Sequence, residues 1–97
     1  MQIDKLRGEQ LDQLFDAILS LDTREECYQF FDDIATMSEI QSLSQRLHVA
    51  KMLTEGKTYS AIEEETNAST ATISRVRRCI NYGSDGYNLV LEKLNVK

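Results

Sequence analysis

Residues 58–83 read TYSAIEEETNASTATISRVRRCINYG, and this stretch decides the fold. Thr58 and Ser69 each offer a side-chain oxygen to the free N–H groups that open a helix. Their positions predict one short helix from Tyr59 to about Glu65 and a second from Ser69 to Tyr82, stopped by Gly83. Asn67 lies in the turn between them, where asparagine tolerates positive φ better than most residues other than glycine. Ile62, Ala68, Ile73 and Val76 are expected to hold the two helices at their crossing angle. Ile73 and Val76, three residues apart, share a buried face that Ile80 extends. Two short helices around a tight turn make a helix-turn-helix over about residues 58–83. Glu63 stands where many such motifs carry a small residue, so its carboxylate must turn to solvent or the packing must loosen.

Outward from this stretch, helical periodicity continues in both directions. Leu11, Leu14, Phe15, Ile18 and Leu19 predict a helix over about residues 6–20. Thr23 with Glu26 has the spacing of a capping box, opening a second helix through Cys27, Phe30, Phe31 and Ile34. Ser38 with Gln41 suggests another box, opening a long helix through Ile40, Leu43, Leu47, Ala50 and Leu53. Gly56 is placed to take the left-handed conformation that ends it. Beyond Gly83, Ser84 or Asp85 restarts the chain for a last helix bearing Tyr87, Val90, Leu91 and Leu94. The expectation is an all-α chain of six helices, with residues 1–97 forming a single domain.

The composition agrees. Proline is absent and glycine occurs 4 times in 97 residues, which favours helices over a turn-rich sheet. Hydrophobic residues at 41% suffice for a core. No apolar run is long enough to span a bilayer, and the start, MQIDKLRGEQ, lacks the basic and apolar segments of a secretory signal. A cytoplasmic location is therefore expected. A reducing compartment leaves Cys27 and Cys79 unpaired; Cys27 is expected in the core among aromatics, and Cys79 near the buried side of the helix that follows Ser69.

Charge is unevenly spread. The net charge is -5, yet residues 67–83 carry three bases, Arg75, Arg77 and Arg78, and no acid. Residues 1–33 carry nine acids against three bases. Contacts to phosphate are made locally, so an acidic chain can still present a basic reading surface. The first turn after Ser69 holds short hydroxyls and methyls, Ser69, Thr70, Ala71, Thr72 and Ser74, that suit base edges and phosphates in a groove. Arg75 lies one turn beyond Ala71. Arg77 and Arg78 are offset from it by about 200° and 300°, so Arg78 is the clamp expected beside Arg75 and Arg77 points elsewhere. The expected partner is double-stranded DNA; a helical protein-interaction adaptor is the alternative. The absence of acids in residues 67–83 favours DNA, because a merely solvated face mixes signs; the acids Glu63, Glu64 and Glu65 lie just outside this segment.

Other chemistry finds no support. Adjacent carboxylates such as Glu63-Glu64-Glu65 are fanned out by helical rotation of about 100° per residue and do not converge on a metal. His48 stands alone in the long helix, without ligands at metal spacing. Neither a glycine-rich phosphate cradle nor a nucleophile elbow occurs. No metal, cofactor or enzymatic activity is expected.

The stretch from Thr36 to Gly83 resembles the Trp repressor superfamily, and the whole chain resembles its YerC/YecD-like branch of small bacterial proteins. The residues that carry the likeness are Leu43, Arg46, Leu53, Gly56, Ile62 and above all Ala71-Thr72-Ile73-Ser74-Arg75. The resemblance implies an intertwined homodimer that binds an operator sequence and controls transcription. Independently, the first two helices carry more Leu, Phe and Tyr than a two-helix reader could cover, which calls for the third helix or a second subunit. By the same resemblance, an effector pocket would involve Thr36, Arg46 and Arg75, lined by Val76 and Cys79. The family has a glycine where Val76 stands and a serine where Cys79 stands. A valine fills the space an indole needs, and a thiol is a poor hydrogen-bonding substitute for a hydroxyl. Both departures count against tryptophan and leave the effector unassigned.

Overall fold

A computed structural model describes residues 1–95. Six α-helices follow a short 3-10 helix at Gln2–Leu6: α1 Glu9–Leu19, α2 Arg24–Ile34, α3 Met37–Thr54, α4 Tyr59–Thr66, α5 Thr70–Tyr82 and α6 Gly86–Leu94. No strand occurs among the described residues. The chain divides into two compact units after Ile40, inside α3.

In the first unit, Thr23 caps α2 by accepting the Glu26 N–H at 3.0 Å, as its spacing predicts. The Glu26 carboxylate, however, takes the N–H of Asp22 at 2.7 Å instead of that of Thr23, so the box closes one residue early. The cap of α3 also differs from expectation. Thr36 replaces Ser38: its hydroxyl accepts the Glu39 N–H at 3.1 Å, and the Glu39 carboxylate accepts the Thr36 N–H at 2.9 Å. A charged carboxylate is a stronger acceptor than the Gln41 amide, so the earlier box wins. Glu39 titrates below its ordinary value of 4.5, first because of the backbone hydrogen bond from Thr36 and then because of that residue's hydroxyl. Neither α1 nor α2 contains a buried residue. Cys27, expected in the core among aromatics, is exposed, on a helix that buries no residue; Phe30 and Phe31 pack edge to face with each other.

The second unit holds the core. Val49, Ala50 and Met52 of α3, Ile62 of α4, Ala68, Ile73 and Val76 of the turn and α5, and Leu91 of α6 form one buried cluster. Leu53, Tyr59, Ile80 and Tyr87 pack against it, half-buried. The four residues expected to brace the helix-turn-helix are thus all in the cluster. Gly56 ends α3 with φ 81°, and the Gly56 and Lys57 N–H groups bond back to Leu53 and Met52. These two bonds form a Schellman motif, which requires the left-handed residue. Asp85, rather than Ser84, stands at the start of α6, with φ 64°.

Candidate nucleic-acid interface

Two side chains, Thr66 and Gln45, and the backbone of Asn67 build the turn between α4 and α5. Thr66 donates its hydroxyl hydrogen to the Ile62 carbonyl at 2.7 Å, and the same oxygen accepts the Ala68 N–H at 3.1 Å. Asn67 takes the left-handed conformation, φ 59°, and its N–H closes α4 on the Glu63 carbonyl. Gln45 of α3 donates its side-chain amide to the Thr66 carbonyl at 3.0 Å. The Thr66 carbonyl and the Asn67 and Ala68 N–H groups are thereby paired where the backbone leaves helical bonding. Nothing in the sequence points to Gln45 for this task, because its partner is distant along the chain.

Ser69 caps α5 by accepting the Thr72 N–H at 3.1 Å, and its hydroxyl also lies 3.1 Å from that of Thr72. Ile73 and Val76, at 0% and 1% exposure, anchor the opposite side of the helix. That orientation leaves Ser69, Thr70, Ala71, Ser74, Arg75 and Arg78 exposed, with Thr72 half-buried. All seven predicted reading residues therefore lie on one short segment whose apolar face is fixed by packing. Arg77 is exposed as well. None of the three arginines is in an ion pair among the described residues; those found involve Asp4 and the His48–Glu65 contact.

Glu63 makes a contact that the sequence does not announce. The residue is half-buried, and its carboxylate accepts the hydroxyl hydrogen of Thr70 in an exposed bond of 2.5 Å, bridging α4 to the first residue of α5. The spacing of seven residues across a turn carries no recognisable signal, so only the folded chain reveals the pair.

Of the residues assigned to an effector pocket, Thr36 lies in the first unit and Arg46, Arg75, Val76 and Cys79 lie in the second. The Thr36 hydroxyl is engaged by the Glu39 N–H. Val76 is a core residue. Arg46 is half-buried, and its Nε is buried with no hydrogen-bond partner. Burial pushes the Tyr87 hydroxyl above its ordinary pKa, while the Arg46 charge pulls it down and Cys79 adds a smaller push upward. The Arg46 and Cys79 charges thus reach the Tyr87 hydroxyl, a residue that the sequence does not single out for the pocket. Cys79 is exposed, not turned to the buried side. An open groove elsewhere, lined by His48, Lys51, Met52, Glu55, Lys57, Ala61, Glu64 and Glu65, contains none of the assigned residues. No group of potential metal ligands converges among the described residues. No helix there is long and apolar enough to cross a membrane.

A capped helix pair with a braced turn, inside an all-α chain, defines a helix-turn-helix protein. The chain belongs to the Trp repressor protein family, which matches residues 9–95. It is 67% identical over 94 residues to YerC of Bacillus subtilis strain 168, itself uncharacterized, covering 97% of this chain and 90% of that one. The crystal structure of a proposed Trp repressor from Staphylococcus aureus superposes with a TM-score of 0.95 at 63% identity. That match covers 100% of this chain and 97% of the other. A TrpR-like protein from Eubacterium eligens superposes with a TM-score of 0.92 at 57% identity, covering 96% of each chain.

Proposed function

We propose that this protein is a sequence-specific DNA-binding transcriptional regulator, a repressor that acts as a homodimer in the cytoplasm and does not respond to tryptophan. One observation carries the proposal: α5 exposes Arg75 and Arg78, free of acidic partners, beside the hydroxyl-rich turn Ser69–Thr72, in a chain that is otherwise acidic. Ser69, Thr70, Ala71, Thr72 and Ser74 face base edges or phosphates, and the two arginines clamp the backbone or a base. In this reading the whole chain works as one Trp-repressor-like domain, without a cofactor.

The homodimer is supported by unsatisfied apolar surface. Phe15, Leu19, Tyr28, Ile34, Met37 and Leu43 are 43%, 80%, 68%, 51%, 69% and 52% exposed. Solitary exposed apolar residues are ordinary, but a unit with no buried side chain at all needs a cover. A second copy also supplies a second reading helix, and paired half-sites give the contacts that one small module lacks.

The effector is a separate matter. The buried, unpartnered Nε of Arg46 suits an anion smaller than tryptophan. Val76, buried in the core, supports a reading without an indole pocket beside α5. Calorimetric titration with tryptophan is expected to show no heat of binding, and micromolar saturation would contradict this assignment.

Genome-wide footprinting of the native protein tests the function. Discrete sites with two-fold symmetric half-sites are expected, with raised transcription of the adjoining genes on deletion. No enriched sites under varied growth conditions would instead favour a protein-binding adaptor that uses the acidic N-terminal helices.

A further inference from the structure

The bond between Glu63 and Thr70 constrains what the first residue of α5 can recognise. A threonine hydroxyl has one hydrogen to donate and two lone pairs to accept with. An ionised carboxylate can only accept, so the 2.5 Å contact places the Thr70 hydrogen on Glu63. Thr70 is exposed on the reading surface, with its oxygen left as an acceptor alone. Such an oxygen cannot bond a phosphate, guanine N7 or O6, or thymine O4, all of which are acceptors too. It can bond the amino group of adenine N6 or cytosine N4 in the major groove. The nearby negative charge strengthens a contact to such a donor and disfavours an approaching phosphate.

We propose that Glu63 is a positioning residue for sequence recognition: by holding the Thr70 hydrogen, it makes Thr70 select a base that presents an amino group, adenine or cytosine, at one position of each half-site. The proposal rests on the DNA-reading function above. It assigns to Glu63 no contact with DNA of its own; the residue acts through the hydroxyl it orients.

The test is selection from a pool of duplex DNA with a randomised centre, by full-length protein and its variants, followed by sequencing. The wild type is expected to favour A or C at one half-site position. T70V, isosteric but without the hydroxyl, should flatten that position alone, reducing discrimination there about five- to tenfold. T70S should retain the preference. E63Q frees the Thr70 hydrogen, because an amide can donate as well as accept, and should let G or T enter at the same position. Two results would overturn the proposal while leaving DNA reading intact. One is selection by T70V and E63Q unchanged at every position. The other is an E63Q variant that binds all sequences more tightly by the same factor, which would make Glu63 a charge effect only. Failure of the wild type to enrich any sequence would overturn the DNA-reading function and this proposal together. Melting curves accompany each variant; should E63Q fail to fold, the T70V and T70S pair still decides.

Discussion

Arg75 and Ile73 lie two residues apart on α5 and face opposite ways, about 200° around the helix, so their substitutions should fail differently. Replacing Arg75 and Arg78 with alanine is expected to leave the melting temperature nearly unchanged and to weaken DNA binding. The slope of log affinity against log salt should fall by roughly one for each phosphate that the variant no longer neutralises. Undiminished binding by that double variant would rule out the assigned face. Ile73→Ala removes a fully buried side chain and should cost about 2–5 kcal/mol in denaturant unfolding, with DNA binding impaired only as a consequence. Asn67 offers a third kind of test. At φ 59°, a β-branched residue is strained, so Asn67→Val should destabilise the fold by about 1–2 kcal/mol, whereas Asn67→Gly should be close to neutral. At this scale the sequence is most readable where one residue type has one physical use. Asn67 and Gly56 at left-handed positions, Thr58 and Ser69 at caps, and Ile73 and Val76 in the core are of that kind. Pairs such as Glu63 with Thr70, or the grouping of Arg46 with Tyr87, depend on the crossing of two helices, and no local spacing encodes that.

Helices as units depend on their ends. Choosing between Thr36 and Ser38 as the α3 cap requires comparing two acceptors, Glu39 and Gln41, and the charged one closes the box. Thr36→Ala should therefore cost about 1 kcal/mol, while Ser38→Ala should cost little. The sign of the pH effect follows from Glu39, whose folded pKa is depressed. Its contribution is present above the ordinary glutamate range and disappears as pH falls through the depressed folded value. Amide exchange at Thr36 should accordingly be unchanged from neutrality to about pH 5 and accelerate only below about pH 4, beyond the intrinsic pH dependence. The end of α5 is set by sterics. A Cβ at Gly83 would lie 2.4 Å from the Cys79 carbonyl oxygen, closer than real contacts allow, so Gly83→Ala should displace the last turn of α5 and lower the melting temperature.

For the whole molecule, the decisive contrast is between a second unit with a packed core and a first unit without one. The surplus of apolar residues in residues 11–34 is visible in the sequence, but which of them stay uncovered is not, because periodicity marks an apolar face without naming what it packs against. If a second copy is the cover, sedimentation should give a dimer at micromolar concentration, and the melting temperature should rise with concentration. Leu43→Asp, on an exposed apolar position of α3, should shift the mass to a monomer and lower the melting temperature. A wild-type monomer with a concentration-independent melting temperature would remove the homodimer. The charge distribution belongs to this scale too. If the chain reads DNA as proposed, its acidic balance leaves little non-specific attraction, and most of its affinity would come from correct sites.

The first unit's lack of buried side chains has a further consequence for turnover. Segments with little burial open at low free energy, and proteases cut the open form. Uncovered copies of this chain would thus be nicked between residues 9 and 36 sooner than covered ones, so degradation would act as a gauge of subunit abundance. If a second copy is the cover, the cell would clear unassembled chains first, and the supply of assembled protein would fall more steeply than its synthesis.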